Sequence, residues 1–291
     1  MAEIIQSSAS QLGLSEQEVR GLSRIVLAIH SRIPHETAKE YDEKLCSLKN
    51  LIPLVSAVQV GYDSSGSRRD TSPLTLHAKV AELNPRRVIL DTRFARDSWE
   101  GMSTDLIDYT KEFGHKQMAI RSLEIETRKV KRGEQKFMLR IPDELTVDVD
   151  LKTSHELASR TAGAVQARHS TFAAVVGTSR KPNSEYAVDP AEYSCDLIEM
   201  LGEAGLKNFR AITGVHKVGF VVDSCLDTGV TVSCTGAFLP EYDLTGEYRH
   251  PGGVDLREVA DVDTTFIVGS PILAARSPYE ALLAHATVLG D

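Results

Sequence analysis

The amino-acid sequence predicts an α/β protein, built as a closed (β/α)8 barrel of the TIM type in one domain over residues 1–291. Short, continuous apolar runs, such as residues 25–29, alternate with longer segments that have helical spacing. Such runs are typical of parallel strands buried on both faces, and their alternation with helices is typical of βαβ units. About eight strands are expected, the number that closes such a barrel, and a barrel of this kind takes about 250 residues. An open, doubly wound sheet is the alternative.

The individual elements can be assigned in chain order. A capping box at Ser15 and Glu18 predicts a short N-terminal helix before the first strand. Residues 129–151 alternate apolar and polar side chains, which predicts an inserted β-hairpin or an extra strand. Strands are predicted at residues 25–29, 55–61, 88–91, 117–125, 172–176, 218–222, 230–234 and 266–269, and helices at 34–48, 74–83, 102–113, 156–168, 190–206, from Leu256 and after Ser277.

Composition excludes several classes of function. The net charge is −8, whereas nucleic-acid-binding proteins usually present a basic face, so no nucleic-acid partner is expected. No apolar run approaches the roughly 18 residues that would span a membrane, and the N-terminus lacks a signal sequence. The four cysteines have no disulfide or zinc spacing, which suits a reducing compartment. We therefore expect a cytoplasmic protein without membrane partners.

Common nucleotide-binding and nucleophile motifs are missing from the sequence. It contains no G-x-G-x-x-G after a strand, no phosphate-binding G-x-x-x-x-G-K-[ST] and no G-x-S-x-G nucleophile elbow. We therefore predict neither a cofactor nor a metal ion.

The strongest candidate for chemistry is a charged cluster after the third predicted strand, formed by Asp91, Arg93, Arg96 and Asp97. Asp91 and Arg93 share a face if the strand continues. Alternating carboxylates and guanidiniums can hold an anionic substrate and shift the pKa of a carboxylate. A structural ion-pair network at the barrel rim is the alternative.

Further candidates lie at other strand ends, which meet at one rim in a parallel barrel. Gly236 and Gly269 end strands near the C-terminus, where glycine lets the backbone approach an anion, although ordinary turn glycines are the alternative. The other strand-end residues are His30, Gln59, Thr178, Ser179, Asp223, Thr235 and Ser270. We predict that His30, Gln59, Asp91, Arg93 and Ser179 open into one common cavity.

The C-terminal part of the sequence resembles the orotidine 5′-phosphate decarboxylase family. Residues 234–238, 246–250 and 265–272 are similar in order and spacing to the family's T-P-G-I-R, G-D-Q-R-R and I-V-G-R-P-I segments, and Arg249 falls in the second of them. The resemblance extends to residues 25–30, 58–61, 88–97 and 177–179, which match the family's first three strands and its L-T-S segment. The related hexulose- and gulonate-phosphate enzymes share the D-x-K-x-x-D motif of the third strand.

The departures from the family pattern concern its charged residues. His30, Gln59 and Arg93 stand where the family has aspartate, lysine and lysine, Arg96 takes the place of the last aspartate with Asp97 one residue late, and Ser270 replaces the phosphate-binding arginine. A guanidinium stays protonated and is a poor proton donor, although it can clamp a carboxylate or phosphate. Ordinary orotidylate decarboxylation is therefore not expected. A second alignment instead places the third-strand motif at Asp150 and Lys152.

The resemblance implies a divergent carbon–carbon lyase, of decarboxylase type, that acts on a small anionic substrate resembling a nucleotide or sugar phosphate. In this interpretation Arg93 and Arg96 stabilise developing charge, Asp91 orients them, and His30 moves the proton. Gln59, Thr178, Ser179, Gly236, Arg249, Gly269 and Ser270 would bind the substrate. The sugar-phosphate branch has a carboxylate at Gln59, and an amide is a poorer Mg²⁺ ligand. The resemblance also implies a homodimer. A non-catalytic ligand-binding or assembly protein is the alternative.

Overall fold

Eight parallel strands form a closed barrel in the computed structural model, which describes residues 9–29, 37–61, 80, 82–91, 144–149, 171–176, 190–203, 210–242 and 253–291. Each barrel strand pairs with the next along the chain, and the last pairs with the first. The predicted parallel barrel is thus confirmed for the strands. They are β1 (Ile25–Ile29), β2 (Ala57–Gly61), β3 (Val88–Asp91), β4 (Glu144–Val149), β5 (Thr171–Val176), β6 (Arg210–Gly214), β7 (Thr231–Thr235) and β10 (Thr265–Val268). The short strands β8 (Ala237–Phe238) and β9 (Val254–Asp255) form a separate parallel pair.

The helix that follows Ser15 begins where the sequence places a capping box. The side chain of Ser15 accepts a hydrogen bond from the Glu18 N–H (3.2 Å), and Glu18 accepts one from the Ser15 N–H (2.7 Å), which confirms the capping box. None of the described helices has the length and apolar composition needed to cross a membrane. They are α1 (Glu16–Leu22), α2 (Ala38–Ser47), α3 (Pro190–Glu203), α4 (Val218–Cys225), α5 (Ser270–Ala274) and α6 (Pro278–Gly290), with 3-10 turns at Ile52–Leu54, Pro240–Tyr242 and Leu256–Glu258.

The strand register separates the barrel residues into an inner and an outer face. Successive residues of a strand alternate between the two faces, and residues paired across neighbouring strands share a face. The inner face holds an apolar cluster, here called the barrel floor, which consists of Val26, Ala28, Ala57, Ile89, Ile212 and Ile267. Leu27, Val58 and Phe266 belong to a larger cluster that packs the strands against the helices. The floor fills the middle of the barrel interior, so a ligand can approach the inner face from the ends of the strands.

The amino-terminal end of the barrel contains a buried arginine below the floor. Arg210 begins β6 and is 4% exposed. Its Nη1 donates hydrogen bonds to Ser233 Oγ (2.8 Å) and Thr265 Oγ1 (3.1 Å), and these two hydroxyls lie 2.6 Å apart. Polar partners satisfy the buried guanidinium, which would otherwise be costly to remove from water.

The structure corrects the predicted sixth strand. Residues 218–222 belong to helix α4, which buries Val218, Val221 and Cys225 at helical spacing. The strand lies earlier, at β6, and it was missed because its first residue is the charged Arg210. Asp223, predicted at a strand end, is instead an exposed residue within α4.

The predicted hairpin or extra strand at residues 129–151 is corrected only in its last part, since residues 129–143 lie outside the described residues. β4 is a regular barrel strand, parallel to both β3 and β5. In its register, the alternate positions Glu144, Thr146 and Asp148 belong to the same face as Ile89 of the floor. The strand predicted at residues 117–125 and the helices predicted at 102–113 and 156–168 lie outside the described residues.

Helices α1 and α6 pack against each other with almost no space between their backbones. A Cβ atom added to Gly21 would lie 1.7 Å from the Ala286 carbonyl oxygen, and one added to Gly290 would lie 2.0 Å from that of Gln17. Arg24, directly before β1, donates hydrogen bonds to the carbonyls of Leu289 (2.7 Å), Thr264 (3.3 Å) and Val262. Backbone contact therefore joins the start of the barrel to its end.

Candidate functional site

The register of β2, β3 and β4 assigns three polar residues to the inner face, level with the floor or beyond it. Gln59 of β2 pairs with Ala28 and Ile89 of the floor, and it is fully buried. Asp91, the last residue of β3, lies two positions beyond Ile89 and therefore on the same face. Asp148 of β4 pairs with Val175, which pairs with Ile212 of the floor. By strand register, Gln59, Asp91 and Asp148 therefore occupy backbone positions on the same face at one side of the barrel.

Asp91 and Asp148 occupy neighbouring positions on this face. Asp91 pairs with Thr146, and Asp148 lies two residues further along β4. Strands about 4.8 Å apart with a rise of about 3.3 Å per residue place the two Cα atoms roughly 8 Å apart. Sequence reasoning missed Asp148, although Thr146 and Asp148 are the polar positions of the alternating segment. That alternation was the available signal.

Gly236 lies at the opposite side of the barrel mouth, directly after β7. Its φ of +95° belongs to the region that L side chains rarely adopt, so glycine suits this position. Its carbonyl accepts a hydrogen bond from the Val254 N–H (3.1 Å). The chain therefore leaves β7 in a sharp turn that is tied to β9.

Gly269 follows β10, and packing alone explains why it is glycine. A Cβ atom there would lie 2.3 Å from the carbonyl oxygen of Ala28 in β1. The Gly269 carbonyl accepts hydrogen bonds from the N–H groups of Ile272 (3.0 Å) and Leu273 (2.9 Å). Ser270 begins α5 and is half-buried. The backbone at the end of β10 thus lies directly against the end of β1.

A buried histidine supports the segment that follows Gly236. His285 of α6 accepts a hydrogen bond at Nε2 from the Leu239 N–H (3.1 Å), and its Nδ1 lies 2.7 Å from the Ala281 carbonyl oxygen. Since a carbonyl only accepts, Nδ1 carries the proton and Nε2 is the acceptor, which requires a neutral ring. Burial lowers the pKa of His285 to about 4, in agreement with this assignment.

Comparison with solved structures finds barrel proteins of known activity. Orotidine 5′-monophosphate decarboxylase from Methanocaldococcus jannaschii, in complex with the inhibitor BMP, matches with a TM-score of 0.53 and 14% identity, over 93% of this chain and 100% of that one. 3-Hexulose-6-phosphate synthase from Salmonella typhimurium matches with a TM-score of 0.48 and 13% identity, over 91% and 98%. Neither a protein-family model nor a curated protein matches the sequence.

The chain has the barrel fold of orotidine 5′-monophosphate decarboxylase. The resemblance inferred from the sequence motifs is thereby confirmed at the level of the fold.

Within the decarboxylase fold, some of the predicted site residues lie on barrel strands or directly after them. Gln59 and Asp91 lie on the inner face at one side, whereas Gly236, Gly269 and Ser270 follow β7 and β10. Asp91 ends the third strand along the chain, whereas Asp150 comes directly after β4, the fourth. The alternative assignment of the third-strand motif to Asp150 and Lys152 is therefore wrong. His30, Arg93, Arg96, Asp97, Thr178, Ser179 and Arg249 lie outside the described residues, and their roles stay predictions.

Two other kinds of site find no support in the described part of the decarboxylase-like barrel. Burial raises the pKa of Cys225 to about 11 and that of Cys234 to about 12, so neither thiol is a thiolate nucleophile at neutral pH. Among these residues, no group of three or more histidine, cysteine, aspartate or glutamate side chains is placed to hold a metal ion.

Proposed function

We propose that this protein is an enzyme that breaks a carbon–carbon bond in a small anionic substrate, resembling a nucleotide or sugar phosphate. The observation that carries the proposal is the strand register, which assigns Gln59, Asp91 and Asp148 to the same barrel face as the apolar floor. Polar groups beside apolar packing are costly unless they bind partners or a ligand. The decarboxylase fold and the motifs near Gly236 and Gly269 support the choice of substrate.

The proposed reaction is a decarboxylation or a related lyase step. The carbon–carbon bond breaks, its electron pair stays on the substrate carbon, and carbon dioxide or a carbonyl compound leaves. Arg93 and Arg96 stabilise the negative charge that develops, because guanidiniums remain charged and bind oxyanions in pairs of hydrogen bonds. His30 then supplies the proton, since its ordinary pKa of ~6.5 suits proton transfer near neutrality. Asp91 orients the arginines.

Asp148 adds a second carboxyl group to this proposal. We propose that this carboxyl group takes part, alongside His30, in the proton transfer to the substrate carbon. Gln59 donates or accepts a hydrogen bond and adds no charge of its own. Gly236 and Gly269 offer backbone groups to the anionic end of the substrate across the mouth, together with Ser179 and Ser270.

A second candidate function is a ligand-binding or assembly protein that has lost catalysis. Gln59 and Arg93 stand where related sequences have lysines, and this replacement of proton donors favours it. Fold alone does not distinguish the two functions.

Ligand-induced stabilisation, followed by a search for product, separates the two functions. The protein is heated with a panel of nucleotides and sugar phosphates, and a ligand at 100 times its Kd should stabilise it by about 2.7 kcal/mol. Each stabilising ligand is then incubated at length with the protein and examined by NMR. Product formation supports the enzyme, and binding without product supports the alternative. If no member of the panel stabilises the protein, the proposed substrate class is wrong.

An arginine substitution tests the charged cluster. We expect Arg93→Ala to abolish product formation while leaving thermal unfolding unchanged, because it removes a charge-stabilising group at the mouth. Arg20→Ala, on the exposed side of α1, is the matched control. Wild-type turnover in Arg93→Ala would show that the charged cluster is not part of the site.

The same proposal predicts an effect of Asp148. We expect Asp148→Asn to lower kcat by about 100-fold or more if the carboxyl group transfers a proton, since positioned acids and bases contribute about 10²–10⁴-fold. Asp223→Asn makes the same charge change at an exposed site on α4 and should keep wild-type rates. An unchanged pH profile of kcat in Asp148→Asn would contradict the role.

We further propose that the undescribed segments around β3, β4 and β5 supply the remaining helices of a complete (β/α)8 barrel. A cytoplasmic homodimer is proposed on the resemblance alone.

A further inference from the structure

We propose that Arg257 is a positioning residue, which joins Glu241 to Asp255 and thereby holds the backbone of Gly236 in the conformation that binds an anion. This inference rests on the proposed function, because it assigns a support to the same mouth. It concerns three side chains beyond the strand ends, here called the arginine fork: Arg257, Glu241 and Asp255.

The arginine fork connects the two ends of the segment that follows β7. Arg257 Nη1 lies 2.9 Å from Asp255 Oδ2 and 3.4 Å from Glu241 Oε2, and Nη2 contacts the other oxygen of Glu241. The Arg257 N–H also donates to Asp255 Oδ1 (3.0 Å). A planar guanidinium can bind two carboxylates at once in fixed directions, which an ammonium does less well. These hydrogen bonds lower the pKa of Glu241, which therefore remains charged.

The fork is continuous with the Gly236 backbone through β8 and β9. Asp255 pairs with Phe238, and Val254 pairs with Ala237. The Val254 N–H donates to the Gly236 carbonyl (3.1 Å), so the position of β9 determines the orientation of the peptide that follows Gly236. Glu241 holds the chain on the other side, in the turn that follows Leu239.

His285 supplies an independent anchor for the same turn. It accepts the Leu239 hydrogen bond from the buried face of α6, and its ring lies 5.8 Å from that of Tyr242. The turn is therefore fixed to the protein interior, whereas β9 is fixed to the turn by the fork. Gly236 needs such support because its positive φ is a turn conformation that a free chain would leave readily.

The arginine fork is expected to affect the local order near Gly236 much more than the stability of the whole protein. The side chains of Arg257 and Glu241 are 49% and 47% exposed, and exposed ion pairs contribute little to global stability. Loss of the fork should therefore leave the unfolding temperature unchanged but increase the local freedom of β8 and β9. Anion affinity depends on that local order, because the free energy needed to order a disordered site is subtracted from the free energy of binding.

The test compares Arg257→Gln with Lys39→Gln, which breaks the exposed Lys39–Glu43 pair on α2. Calorimetric titration with inorganic phosphate and ribose 5-phosphate measures Kd, and hydrogen exchange without ligand measures the local order of residues 237–239. We expect Arg257→Gln to weaken binding about threefold to tenfold, and to speed exchange at these residues, without a change in unfolding temperature. Lys39→Gln should change none of these, and Arg257→Lys should recover part of the affinity.

The outcomes distinguish this inference from the proposed function. Equal Kd values in wild type and Arg257→Gln would overturn the inference and leave the proposed function standing. If the wild-type protein binds neither probe, Gly236 is not part of an anion site, and the inference is then wrong as well. Unchanged hydrogen exchange at residues 237–239 would overturn the positioning role even if the affinity changed.

Discussion

His285 shows how a single buried side chain makes stability depend on pH. Its folded pKa is about 4, below the ordinary value of 6.5, because burial penalises the charged ring. Between these two values the unfolded chain binds a proton that the folded chain does not bind, so the free energy of unfolding falls as the pH is lowered. The full difference corresponds to roughly 3 kcal/mol.

We predict that this pH dependence disappears in His285→Gln, whose amide oxygen can still accept from Leu239 but does not titrate. Urea unfolding of both proteins at intervals between pH 4 and 7 measures how the free energy of unfolding of each protein changes with pH. Parallel curves for the two proteins would contradict the assignment of a neutral, buried histidine.

At Gly269, a single added Cβ atom is expected to change the stability of the protein. We predict that Gly269→Ala lowers the free energy of unfolding by about 1–3 kcal/mol, because its Cβ would overlap the Ala28 carbonyl of a paired strand. Gly202→Ala in α3 is the control, since a Cβ there meets nothing within 4 Å and alanine favours helix. Chemical denaturation measures both variants. Equal stability of wild type and Gly269→Ala would show that the strand ends are less closely packed.

At this scale, sequence reasoning located Gln59, Asp91 and Gly236 but missed Asp148 and Arg210. The first three follow or interrupt recognisable apolar runs, and so mark strand ends. Nothing in the sequence near Arg210 shows that Ser233 and Thr265 are its partners inside the barrel. Buried charges with distant partners are invisible to any pattern read along one segment.

At the scale of elements, capping and buried strands were predictable whereas α4 was not. The capping box at Ser15 and the apolar run of β1 depend on neighbouring residues alone. The apolar, β-branched sequence of α4 is typical of a strand, but the parallel pairing of β6 with β5 and β7 leaves this segment outside the barrel. Tertiary pairing overrode local preference there.

The contact between α1 and α6 leads to a prediction for these two elements. We expect Gly21→Ala to separate them, because the new Cβ would lie 1.7 Å from a backbone oxygen that cannot move without its helix. Hydrogen exchange should then increase in α1 and α6 while that of β6 and β7 stays unchanged. Gly219→Ala in α4, where the nearest atom is 3.9 Å away, serves as the control. Unaltered exchange in α1 would contradict this packing.

At the scale of the whole molecule, the inner face changes character from one end of the barrel to the other. The Arg210 group lies at the amino-terminal end, Gln59 is level with the apolar floor, and Asp91 lies beyond it at the carboxyl end of β3. The apolar layer therefore separates the buried arginine from the end at which the proposed site lies. This arrangement accounts for the alternating sequence of β4, whose inner positions are polar although the strand is part of the barrel.

The oligomeric state is a prediction at the same scale. On the resemblance to the decarboxylase family, we expect sedimentation velocity to give one species with twice the mass of a single chain. The measured mass should stay at twice that of a single chain when the protein is diluted through the micromolar range. A species with the mass of one chain would contradict the proposed homodimer.

The pairing of β1 with β10 has a consequence for how the protein is made. β1 leaves the ribosome early, yet one of its two edges has no partner until β10, near the C-terminus, has been synthesised. During that interval a fully apolar strand exposes unpaired N–H and C=O groups, the feature through which nascent chains stick to one another. Slow translation should therefore increase aggregation, and a chaperone that covers this edge should suppress it.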